Sequence, residues 1–88
     1  MVGAFDEVFI TQTLRLIEDG HLDHLPRFLD AQLASQLVPE WYKSEVLGRI
    51  YERIKDAHKQ AKTRTSRERY LKAIELMNVK YGAALSRK

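Results

Sequence analysis

Apolar residues in this chain recur at intervals of three and four and nowhere alternate, a pattern that commits it to helices. Phe5, Val8, Phe9, Leu16 and Ile17 follow that spacing, with Ile10 and Leu14 widening the face, and predict a helix over residues 5–19. Gly20 supplies its stop, because glycine tolerates the left-handed conformation in which helices end. Leu25, Leu29, Leu33 and Leu37 form an i, i+4 ridge with Phe28 beside it, predicting a second helix over 25–38. Pro26 suits its first turn, and Pro39 ends it by biasing Val38 away from helical geometry.

Pro39 also opens a third segment, 40–62, in which Leu47, Ile50, Ile54, Ala57 and Ala61 make a heptad-like seam. The seam spans about two heptads, too short for a coiled coil. Gly48 inside it costs roughly 1 kcal/mol relative to alanine, and either permits a close helix approach or marks a bend. A fourth helix, 66–81, starts at Thr65-Ser66-Arg67-Glu68, which has the form of a capping box. Glu68 and Lys72 follow at the favourable i, i+4 spacing. Tyr70, Leu71, Ile74, Met77 and Tyr81 form its apolar stripe, Leu76 and Val79 add a second face, and Gly82 ends it before a frayed tail, 83–88. The expected fold is all-α: one domain over 1–88, resembling a small four-helix bundle and dimeric.

The dimer expectation comes from size. A chain of 88 residues buries only about 60–65% of its unfolded surface. Without cysteine it has no disulfide, thiolate metal site or cysteine nucleophile, so tight packing and self-association are what remain to stabilise it. The apolar runs are far shorter than the roughly 20 residues that span a bilayer. The first ten residues carry Asp6 and Glu7 and no basic side chain, unlike a signal peptide. The expected location is therefore cytoplasmic, with no membrane partner.

The net charge of +3 conceals an asymmetry, with a balance of −4 over residues 1–44 and +7 over 45–88. The positive charge concentrates around the third connection, in Lys55, Lys59, Lys62, Arg64, Arg67, Arg69 and Lys72, with Asp56 and Glu68 the only acids between. Lys59, Lys62, Arg64, Arg67, Arg69 and Lys72 are candidate nucleic-acid or anion-binding residues, because phosphate oxygens accept from such groups and from the nearby Thr63, Thr65 and Ser66. A charge run of this kind is more often a solvated face, or here the complement of the acidic first half. Zinc-finger, basic-zipper and RRM signatures are absent.

Trp41 and Tyr42, just past the proline break, are either core anchors or interface hot spots; a lone tryptophan in so small a protein is more often core. Tyr51, Leu76 and Val79 complete the candidate protein-interface set. Tyr70 and Tyr81 raise the same question, but at helical spacing they more simply pack. His21 and His24 lie among Glu18, Asp19 and Asp23, yet Gly20 and Pro26 break the helix that would align them for a metal. His58 fits as a partly buried packing residue. No phosphate loop, nucleophile elbow or metalloprotease motif is present, and no cofactor or small-molecule substrate is expected. The residues point to a non-enzymatic regulatory module that pairs with itself or a protein partner, with DNA binding through 55–72 as the alternative.

Overall fold

Helix-ending signals divide the chain into four helices in the computed structural model, which describes residues 2–35 and 37–85, with side chains from residue 7 onward. They are α1 (Val2–Glu18), α2 (Leu25–Ser35), α3 (Glu40–Gln60) and α4 (Arg64–Leu85), with one 3-10 turn, Leu22–His24, ahead of α2. The described residues are all-α and contain no strand. The radius of gyration is 12.4 Å, against about 12 Å for a folded chain of this length, so the helices pack closely. No described helix is long and apolar enough to cross a membrane. The side chain of Phe5 and residues 86–88 of the expected tail lie outside the described residues.

Each helix turns one apolar edge inward. The core contains Phe9, Ile10 and Ile17 of α1; the Leu25, Leu29, Leu33 ridge of α2; Val46, Leu47, Ile50 and Ile54 of α3; and Tyr70, Ala73 and Met77 of α4. Phe9 meets Phe28 edge to face at 6.0 Å. Thr13 is fully buried on the same face of α1, and its hydroxyl donates to the Phe9 carbonyl at 2.8 Å, so no polar group is left unsatisfied there. Val8 and Leu71, expected on apolar stripes, are exposed instead. Ala73 takes an inward place on α4, fully buried.

The helix ends differ from expectation for local reasons. Gly20, at φ 83, closes α1: its N–H donates to the Ile17 carbonyl and the His21 N–H to that of Leu16, the paired bonds of a Schellman cap. The same pair closes α2, with Leu37 donating to Ala34 and Val38 to Leu33. Leu37 therefore sits at φ 54, off the leucine ridge, and α2 ends at Ser35 rather than 38. Pro39 precedes α3, its carbonyl accepting from the N–H groups of Tyr42 and Lys43. Ala61 turns extended and ends α3 two residues early. The cap of α4 is Thr63, not Thr65: its Oγ1 accepts from the Ser66 N–H at 3.1 Å and its carbonyl from the Arg67 N–H. Gly82 does not stop α4, which kinks at Tyr81 (φ −119, ψ 17) and continues to Leu85.

Candidate interaction surfaces

Helices α3 and α4, joined by residues 61–63, form an antiparallel hairpin with the most extensive contact in the molecule, and it sets up two dissimilar ends. At the closed end are the last turn of α3 and the first turns of α4, against the C-terminus of α1. At the open end are the start of α3, the end of α4 and the α2–α3 connection. Twenty-one residues of α3 separate them, roughly 30 Å at 1.5 Å per residue. Gly48 does not interrupt α3, and a Cβ built on it would meet nothing within 4 Å, so it marks neither a bend nor a close helix approach. It lines a cleft of about 440 Å³ with Ile10 of α1 and Leu85 of α4.

The open end carries two exposed apolar side chains among polar ones. Trp41 is 81% exposed, contrary to the expectation of a core anchor, and its ring lies 5.6 Å from that of Tyr42. Tyr42 is half-buried against the core, so it backs the indole without covering it. Leu37, four residues earlier in the connection, is 86% exposed. At the same end a cleft of about 430 Å³ opens among Asp30, Leu33, Glu40, Lys43, Leu47 and Tyr81, lined by neither Leu37 nor Trp41. The other interface candidates divide. Val79 is 86% exposed on the outer face of α4 and Leu76 is half-buried. Tyr51 is engaged within the hairpin: its hydroxyl accepts from Asn78 Nδ2 at 3.0 Å, and Lys55 Nζ lies 5.0 Å from its ring centre.

The closed end is basic, and its candidates fall into two groups. Lys59, Lys62, Arg64 and Lys72 are exposed, with no carboxylate within 4 Å among the described residues. Arg67 is exposed too, its Nη2 donating weakly to the Ala61 carbonyl at 3.4 Å. Arg69 is different: half-buried, it lies over Gly20 and donates through Nη1 to the Glu18 carbonyl, placing its charge on the last turn of α1. Its neighbour Tyr70 donates to the Glu18 carboxylate at 2.5 Å. Burial, then that carboxylate, raises the Tyr70 phenol above its ordinary value. Tyr81 is raised in the same way, by burial and by donating to Asp30 at 2.7 Å, where Lys80 also pairs at 3.2 Å.

His21 and His24 meet edge to face at 5.9 Å, with His24 3.8 Å from Asp23. Among the described residues no three His, Asp or Glu side chains are grouped as metal ligands. His58 is half-buried. Neither a family model, nor a curated protein, nor a solved structure matches this chain.

Proposed function

We propose that this chain is a non-enzymatic protein-docking module, an irregular four-helix bundle that pairs with a second copy of itself or with another protein through the end carrying Leu37 and Trp41. The observation that carries this reading is the exposed indole. Burying the 150–250 Å² of a tryptophan is worth on the order of 4–6 kcal/mol at about 25 cal/mol/Å², and the folded monomer leaves most of that unrealised. Tryptophan, where it is buried in an interface, is among the residues that dominate binding energy. Leu37 adds a second apolar side chain, held in a conformation that costs an L-residue about 1–2 kcal/mol and buries nothing in return within the chain. The cleft at the same end, lined by Leu33, Leu47 and Tyr81 together with Asp30, Glu40 and Lys43, offers a recess for a mixed polar and apolar group from the partner.

Light scattering after size exclusion, over a wide protein concentration range, tests the self-pairing form. A dimer mass for the native chain that falls to monomer in Trp41→Ala, at unchanged helicity, supports the assignment. A dimer that survives Trp41→Ala moves the interface elsewhere, and a monomer at every concentration rejects self-pairing.

A further inference from the structure

We infer that the closed end of the α3–α4 hairpin binds the sugar–phosphate backbone of a nucleic acid, through Lys59, Lys62, Arg64, Arg67 and Lys72 and without reading base sequence. How charge is paired along the chain carries the argument. Outside this segment, five of the seven described Lys and Arg side chains, Lys43, Arg49, Arg53, Lys55 and Lys80, each face a carboxylate, at 2.8, 3.6, 3.0, 3.1 and 3.2 Å from Glu40, Glu45, Glu7, Glu52 and Asp30, and Arg15 and Arg27 do not. From residue 59 to 72 none does among the described residues, although Asp56 and Glu68 lie within or beside the segment, and the anticipated Glu68–Lys72 pair does not form. Unneutralised like charges repel one another and lower stability, so this concentration has a cost that a polyanion would remove. The cations come from the last turn of α3, the connection and the first turns of α4, which together make the tip of the hairpin.

The same tip is unsuited to the other partners a basic surface serves. Between residues 59 and 72 every exposed side chain except Leu71 is polar or charged, so the tip lacks the broad apolar centre that protein interfaces bury and offers a bilayer a single leucine. Phosphate contacts require neither. Arg69 is left out of the site because it is engaged on α1. The surface is roughly 30 Å from Trp41 along α3, so this inference stands apart from the docking reading.

The test is fluorescence anisotropy of a labelled short mixed-sequence duplex with the full chain, titrated between about 50 and 200 mM salt. Binding should weaken with salt. The variant carrying Lys59→Gln, Lys62→Gln, Arg64→Gln and Lys72→Gln should lose at least about tenfold in affinity, with a log–log salt slope shallower by about 3 to 4. Circular dichroism should show native helicity and a melting temperature no lower than the native chain's; the double variant Lys62→Gln, Arg64→Gln, with about half the slope change, serves if the fourfold one does not fold. No binding at the lowest salt, or equal affinity for native and variant chains, overturns the inference. So does displacement of the duplex by poly-glutamate more effectively than by unlabelled duplex, which would point to an acidic protein instead.

Discussion

Leu37 is held at φ 54 by the two hydrogen bonds that close α2, and its side chain is almost wholly in water. Glycine reaches that conformation without the steric penalty, though it loses more chain entropy on folding. Leu37→Gly should therefore stabilise the monomer by about 0.5–1 kcal/mol, read as a higher urea midpoint at unchanged slope. If Leu37 belongs to a docking surface, the same variant should pair less well while folding better. The exposure of Trp41 was within reach of the sequence. It lies nine residues from Ile50, two and a half turns of helix, and so on the opposite face from the seam. The frequency of tryptophan in cores argued the other way, and the helix geometry overrode it. The left-handed state of Leu37 was not legible, since leucine carries no signal for it.

At the scale of the element, α1 ends where α4 begins. Gly20 closes the helix, and Arg69 crosses it so tightly that a Cβ on Gly20 would lie 3.2 Å from the guanidinium carbon. Gly20→Ala should destabilise by about 1–2 kcal/mol, from the positive φ alone, and more if Arg69 is displaced. Gly48 is the converse: with open space where a Cβ would go, Gly48→Ala should stabilise by about 0.5–1 kcal/mol through helix propensity. Thermal melts of the two alanine variants should move in opposite directions. The four helices and most core positions were legible because apolar spacing reports helical faces directly. Their ends were less so, because Thr63 and Thr65 both precede a plausible first turn. The choice between them depends on where α3 lets go, and a pattern local to α4 does not contain that.

For the whole molecule, two tyrosines of α4 tie it to the first half of the chain, Tyr70 to Glu18 and Tyr81 to Asp30. Both phenols titrate above their unfolded value of 10.0, so the stability they contribute is complete below that pH and lost as pH rises through the folded values. The urea midpoint should hold to about pH 9 and then fall, and the fall should be smaller in Tyr70→Phe, which at neutral pH costs about 1–3 kcal/mol. The charge asymmetry between the halves was plain from composition, but its use was not. Arg53 pairs with Glu7 across 46 residues, which no local spacing announces, while Glu68 and Lys72, ideally spaced, do not meet.

The chain's single indole stands in water, which has a spectroscopic consequence. In the monomer its emission should resemble that of an unfolded chain, so tryptophan fluorescence should barely register the monomer's denaturation, and unfolding is better followed by helicity. A blue shift of that emission would instead mark the moment another surface closes over the ring.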